Sequence, residues 1–290
     1  MAVNPESMAP DQGQAEPAIF WYGCNMTRHG EVIRATTRLL EAVGMAAEPT
    51  GGPASCCGSP KDASARINEG MARRTIEAFN ATGRGKVVTW CPSCHMNMQD
   101  SMAPVTTPAF ETVHVTEVLH ARRDRLRPLL TRPVPARVLL HGHLGFNGRV
   151  PVNGLVADLL RLIPGLTLLD EPYRAPGHMC SSLAGVPGAL ADAQRATLAS
   201  MAAVGADTLC TIFHSCHREM VGLEQNHPVT VVNWIHLLAA SAGIAAEDGY
   251  KAMRNAADPR AALGEAAVAA AGELPFARLI EPELRKAPIV

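Results

Sequence analysis

At 290 residues, 47% hydrophobic and 18% charged, the chain reads as a soluble globular protein with room for two domains of about 100–200 residues. A formal net charge of −1 leaves no electrostatic footprint for nucleic acid or an anionic membrane surface. Residues 1–17 lack the basic and apolar regions of a signal peptide, and the most apolar stretch, Val231 to Ala246, is interrupted by Asn233 and His236 and is too short to span a bilayer. The expectation is a cytoplasmic protein in a reducing compartment, where disulfides are a poor account of eight cysteines.

Residues 1–17 are rich in Pro, Gln, Glu, Ala and Gly and read as a disordered leader. Ala18 to Tyr22 is an apolar run that predicts a buried strand delivering Cys24 at its end. Glu31 to Val43 predicts a helix, with Val32, Leu39, Leu40 and Val43 at helical spacing and Gly44 as its stop. Thr50 to Pro53 is a loop leading to Cys56-Cys57-Gly58. Asp62 to Phe79 predicts a second helix, and Lys86 to Trp90 a second buried strand, again ending on cysteine. Val113 to Val115 is a short strand, and Thr116 to Leu126 a helix that stops ahead of Pro128.

Arg132 to Pro135 reads as a linker, after which the pattern restarts. Strands are predicted at Arg137–Leu140, Leu166–Leu169, Thr208–Ile212 and Val229–Val232, and helices at Val152–Ile163, Leu190–Val204 and Asn233–Ala242. An Ala-rich helix from Pro259 to Ala271 and a tail complete the chain. Alternating strands and helices indicate an α/β fold with parallel sheets, whose ligands lie beyond the carboxyl ends of the strands. The halves also correspond in motif. Thr89, Ser93, Cys94, His95 and Met98 recur as Thr211, Ser215, Cys216, His217 and Met220, while Gly23-Cys24 falls on Gly142-His143 and Cys57 on Cys180. The implied organisation is a duplicated domain: 18–132 first, 133–245 second, and 246–290 as an addition outside the repeat.

Five cysteines follow the pattern Cys-x31-Cys-Cys-Gly-x32-Cys-x2-Cys: Cys24, Cys56, Cys57, Cys91 and Cys94. Zinc ribbons space two Cys-x2-Cys pairs by about 15–20 residues, which this array does not fit. Soft thiolates gathered from three loops suit an iron–sulfur centre. Zinc is the competing metal, but four ligands satisfy it and one thiolate is left over. Buried cysteines acting as small apolar residues are a weaker account, because these five lie at loop ends and two are adjacent.

The array, with Gly58 after the pair and Pro92 inside the Cys-x2-Cys, resembles the cysteine-rich CCG domain of the heterodisulfide reductase B subunit family. The resemblance covers about residues 18–245. It implies two pseudo-symmetric α/β halves, the second degenerate, and a noncubane 4Fe-4S cluster on the first-half cysteines. The run Trp21 to Gly30 and the degenerate second half look most like the second B-type subunit of the heterodisulfide-reductase-like complex of sulfur-oxidising prokaryotes. That likeness implies an oxidoreductase subunit handling thiol, disulfide or persulfide sulfur. It further implies a ferredoxin-like C-type subunit and a flavin-bearing A-type subunit as partners, with a second B-type subunit and a lipoate-binding protein in the same system.

Where the first half has Cys24, Cys56, Cys57, Cys91 and Cys94, the second offers His143, Met179, Cys180, Phe213 and Cys216. Three donors remain, His143, Cys180 and Cys216, which suit zinc with an open fourth position, and His141, His178, Cys210, His214 and His217 lie close by in sequence. A vestigial pocket with hydrogen-bonded histidines and a degenerate iron–sulfur centre stand as the other readings. With two ligand positions changed, symmetric cleavage of a disulfide between two clusters is not available to this chain. An electron-transfer or scaffold role beside an intact sister subunit therefore competes with a catalytic one. Cys210 reads as a core thiol, His95 and His217 as donors behind a ligand, and His120 and His236 as structural. Arg28 and His29 fit either a solvated loop or an anion-attracting one. No Gly-rich dinucleotide motif or P-loop is present, so electrons must come from a partner.

Overall fold

The structure, a computed structural model, describes residues 15–58, 64–170, 173–286 and 289–290. Most of the expected leader lies outside the described residues, but Glu16 and Pro17 belong to the first strand. The first half contains β1 (Glu16–Gly23), β2 (Met45–Gly51), β3 (Lys86–Thr89) and β4 (Glu111–His114), and the second β5 (Ala136–His141), β6 (Leu166–Leu169), β7 (Thr208–Thr211) and β8 (Thr230–Asn233). They form two four-stranded sheets of order β2-β1-β3-β4 and β6-β5-β7-β8. Every pairing is parallel, with Phe20 opposite Val88 and Leu139 opposite Leu209. Ile19, Phe20 and Trp21 in β1, Val87 and Val88 in β3, and Leu209 and Cys210 in β7 are all buried. Consecutive apolar burial of this kind belongs to parallel strands covered on both faces.

Several elements differ from the sequence reading, and the helix expected over Thr116–Leu126 is split into Val115–Ala121 and Arg123–Leu126. The loop after the first long helix opens with β2, an edge strand whose Pro49 pairs with Phe20. Proline is tolerated at a sheet edge, where it removes no ladder bond to a second neighbour. The Ala-rich helix breaks into Pro259–Leu263 and Glu265–Ala271 at Gly264, which has φ of +86°. Short helices at Cys180–Ala184 and Gly249–Arg254 were not foreseen. The segment after residue 245 folds back on its own chain, burying Tyr250, Val268, Phe276 and Leu284.

The halves share one core. Helix α1 (Gly30–Ala42) packs on the second half's closing helix, Trp234–Ala242, and the Val115–Ala121 helix packs on Val152–Leu160. Trp90 stacks on Trp234 with ring centres 6.0 Å apart and 14° between planes. Such aromatic pairs contribute about 0.5–1.5 kcal/mol beyond area burial. Phe213 meets Phe146 edge-on at 6.0 Å. Each sheet reverses its strand order beside its first strand, so the crevices at the ends of β1/β3 and β5/β7 are the places where this topology puts ligands.

Candidate metal centres

The first crevice gathers the five sequence-predicted thiols. Cys24 follows β1 directly, Cys91 caps the helix Pro92–Asn97 that follows β3, and Cys94 lies in that helix's first turn. Cys56 and Cys57 arrive on the loop beyond β2. Cys24 Sγ and Cys56 Sγ are 3.5 Å apart. Cys56 contacts Cys57, Cys57 contacts Cys94, and Cys94 contacts Cys91, so the thiols run as a chain. Among the described residues, the groups whose donor atoms all lie within 4.8 Å of one another are found elsewhere, which separates this array from a single-ion site.

The chemistry of the donors fits a sulfur-ligated cluster. Four thiols are buried and Cys24 is half-buried, giving the array one open edge. Burial raises the Cys24 thiol above its ordinary range. Contact with Cys57, then burial, raises Cys56. Cys94 is pushed well up by Cys57, Cys91 and burial, whereas Cys91 is lowered because Cys94 donates to it. Asn97 Nδ2 donates toward Cys57 Sγ at 3.8 Å, and hydrogen bonds to sulfur are one lever on cluster potential. A Cβ on Gly23 would stand 3.0 Å from Cys94 Sγ, and its φ of +81° suits glycine alone.

The second crevice holds a more compact set. The donor atoms of His141, His143, Cys180 and Cys216 all lie within 4.8 Å of one another, and all four residues are buried. His141 Nε2 is 3.2 Å from Cys180 Sγ; His143 Nε2 is 3.5 Å from Cys180 Sγ and 3.2 Å from Cys216 Sγ. His143, Cys180 and Cys216 are thus brought together as the sequence indicated. The fourth position, expected to be open, is filled by His141. That residue is the last of β5, two before His143, and a His-x-His at the end of a strand was the signal available for it.

The imidazoles are held from behind. His143 Nδ1 donates to the Pro176 carbonyl at 3.1 Å. The Thr197 hydroxyl donates to the Ala193 carbonyl at 2.7 Å, so it accepts from His141 Nδ1 at 3.3 Å. Both Nε2 lone pairs therefore face the sulfurs, the arrangement that orients metal-bound histidine. Burial alone would raise the Cys216 thiol, but its contacts with Cys180, His143 and His141 outweigh that and hold it well below the ordinary range. Burial keeps His141 low, while Cys216 more than offsets burial at His143 and raises it. Burial, then Cys216, pushes Cys180 well up. Two cysteines and two imidazoles converging in a buried site are a structural zinc donor set.

Met179 and Phe213 make no such contribution. Phe213 is buried against His114 and Phe146. Cys210 is a fully buried core thiol, raised by burial. His95 bonds Thr89 and Gln99, and His120 pairs with Asp158. Arg28 pairs with Glu283 at 2.9 Å, while His29 is buried rather than solvated. His217 and His236 turn away from the thiols toward Asp248.

Residues 18–99, a span that includes all five first-half cysteines, match the family model of the CCG cysteine-rich domain. The first half carries a CCG domain. No curated protein matches the chain. Among solved structures, a Yersinia pestis protein assigned as a candidate Asp/Glu racemase is 12% identical over 78% of this chain and 98% of its own, with a TM-score of 0.33. At that level the likeness bears on neither fold nor activity. No helix among the described residues is long and apolar enough to cross a membrane.

Proposed function

We propose that the chain is an iron–sulfur redox subunit of a heterodisulfide-reductase-like complex, handling thiol, disulfide or persulfide sulfur. The convergence of Cys24, Cys56, Cys57, Cys91 and Cys94 at the β1/β3 crevice of a CCG domain carries this reading. These five would hold one noncubane 4Fe-4S cluster, which when bound supplies one-electron chemistry and iron with affinity for sulfur. The protein's part is to keep four of the thiols dry, to leave Cys24 at the open edge, and to let the Gly23 backbone approach Cys94. His141, His143, Cys180 and Cys216 would hold one zinc as a structural clip joining β5, the Pro176 loop and the two helices that carry the cysteines.

A second reading rests on Phe213 and Met179. Both are buried at positions corresponding to first-half cysteines, so the second crevice lacks the thiols for a second cluster. The chain would then be an electron-transfer and scaffold subunit, with the chemistry in a sister B-type subunit. Both readings imply a ferredoxin-like C-type partner, a flavin-bearing A-type partner, a lipoate-bound sulfur substrate carrier and a cytoplasmic setting. Tagged protein recovered anaerobically from its native host should bring down C- or A-type subunits; recovery as a lone monomer overturns the complex. Turnover of a persulfide by the isolated chain with an artificial electron acceptor supports the catalytic reading. Turnover that requires the sister subunit supports the scaffold reading.

A further inference from the structure

A buried polar cluster, separate from both cysteine sites, lies where the two halves and the C-terminal segment meet. It contains His217 of the second half's cysteine helix, His236 of the closing helix, Asp248 from beyond the repeat, and His29 and Glu31 from the first half. His29, Glu31, His217 and His236 are each at most 9% exposed. The donor atoms of His217, His236 and Asp248 lie within 4.8 Å of one another.

The donor atoms of this cluster converge, and several of its buried polar atoms lack a hydrogen-bond partner. The Thr211 hydroxyl donates to the Val232 carbonyl at 3.2 Å and so accepts from His217 Nδ1 at 3.4 Å. His217 Nε2 and Asp248 Oδ2 are hydrogen-bonded at 2.6 Å, the contact that a bound ion would replace. The Asn233 backbone N–H donates to His236 Nδ1 at 3.3 Å, so this nitrogen presents a lone pair, and it faces the same Asp248 oxygen at 3.7 Å. The proton of His236 then sits on Nε2, which points at Glu31 Oε1 across 3.8 Å. Both of those atoms, and both ring nitrogens of His29, are buried without a hydrogen-bond partner. Among the described residues, every ion pair of Asp248 and Glu31 is with a histidine, none with Lys or Arg. Two carboxylates held among imidazoles in a largely buried cluster favour a positive charge beside them.

We propose that His217 Nε2, His236 Nδ1 and Asp248 Oδ2 form a site for one divalent first-row transition-metal ion, with Glu31 as the carboxylate behind His236. Imidazole and carboxylate donors with no thiolate select ions such as zinc or iron(II) and leave positions for water or a small ligand. A carboxylate accepting from the outer nitrogen of a metal-bound histidine is the usual support for such a ligand. An ion there takes the place of the His217–Asp248 hydrogen bond and of the long bond from Asn233 N–H. Tyr250 packs on His29 with ring centres 4.7 Å apart, closing the cluster on the side of the C-terminal segment.

The duplication shows that the arrangement is particular to this junction. In the first half the counterpart of His217 is His95, whose Nε2 meets the Gln99 amide, and the counterpart of His236 is His120, which sits on surface Asp158. Neither position there faces an acid supplied from outside the repeat. Asp248 lies in the segment that follows the second half, so the site is complete only when that segment is docked.

Cobalt(II) is the probe, added without oxygen to the full-length chain. At the two-cysteine, two-histidine site it gives the intense thiolate-to-cobalt charge-transfer band; at the site proposed here it gives weak ligand-field absorption only. The expected result is one bound equivalent without thiolate charge transfer, with affinity falling about tenfold or more in Asp248→Asn. His236→Gln is the second variant, because glutamine three residues after the Asn233 cap preserves a capping box while the imidazole is lost. It should weaken the same equivalent while leaving the charge-transfer band in place. If all bound cobalt shows thiolate charge transfer, or if the thiolate-free equivalent binds equally well in both variants, the assignment is wrong.

Discussion

Replacing Thr197 with valine isolates the support behind one zinc ligand without touching a donor. Thr197 is fully buried, and valine nearly preserves its shape. Its hydroxyl proton goes to Ala193, so what is lost at the site is the acceptor for His141 Nδ1–H. In the metal-free protein the ring can shift tautomer and present Nε2–H to Cys180 Sγ at 3.2 Å, which relieves the orphaned donor. With zinc on Nε2 that shift is blocked, and an unsatisfied buried donor costs about 1–3 kcal/mol. The penalty therefore falls on the zinc-bound state, and zinc affinity should drop about 10–100-fold. Competition against a chromophoric zinc chelator, with the melting temperature of the metal-free protein as a control, reads the effect. An affinity within about twofold of the parent, or equal destabilisation of the zinc-free and zinc-bound forms, refutes the reasoning.

Cys57→Ser and Cys94→Ser, prepared anaerobically, should lose the broad visible absorbance and nearly all bound iron, whereas Cys180→Ser and Cys216→Ser should keep their iron and lose zinc; metal and sulfide analysis checks both. Phe213→Ala empties a buried aromatic site between Phe146 and His114 and should cost about 3–5 kcal/mol, read from urea unfolding midpoints, without changing iron content. His114 donates from Nε2 to the Trp90 carbonyl at 2.9 Å, and burial, then the neighbouring His95, lower its pKa to about 3. Below its ordinary pKa of about 6.5 the unfolded chain takes up a proton that the folded ring refuses, so stability falls as pH drops from about 6.5 to about 3. The slope from this residue is about 1.4 kcal/mol per pH unit at most, and His114→Gln should remove it from an unfolding series across that range.

What could be read from the sequence follows from how locally each feature is encoded. β1 was legible as an unbroken apolar run from Ala18 to Tyr22 and β3 as the Val87-Val88 pair, each leading to a cysteine, and β5 and β7 carry similar buried apolar pairs. β2 was not, because an edge strand containing Glu48 and Pro49 has neither apolar continuity nor clean alternation. The five first-half thiols were legible from spacing, since each sits at a strand end or in a loop that the α/β topology delivers to one crevice. Matched position by position to the first half, the second crevice offers three donors, because His143 stands where Cys24 does. His141 has no first-half counterpart among the ligands and enters from the end of β5. The cluster around Asp248 was out of reach for another reason. Its members come from residues 29–31, 217, 236 and 248, and they meet only through the packing of α1 on the closing helix and the docking of the segment that carries Asp248.

Metal and sulfide stoichiometry of the full-length protein, purified and kept without oxygen, tests the central claim most directly. The account predicts about four irons and four acid-labile sulfides per chain, all lost in Cys57→Ser and all retained in Cys216→Ser. Iron and sulfide retained in full by Cys57→Ser, or about eight irons in the parent protein, would contradict a single cluster held by the first-half cysteines.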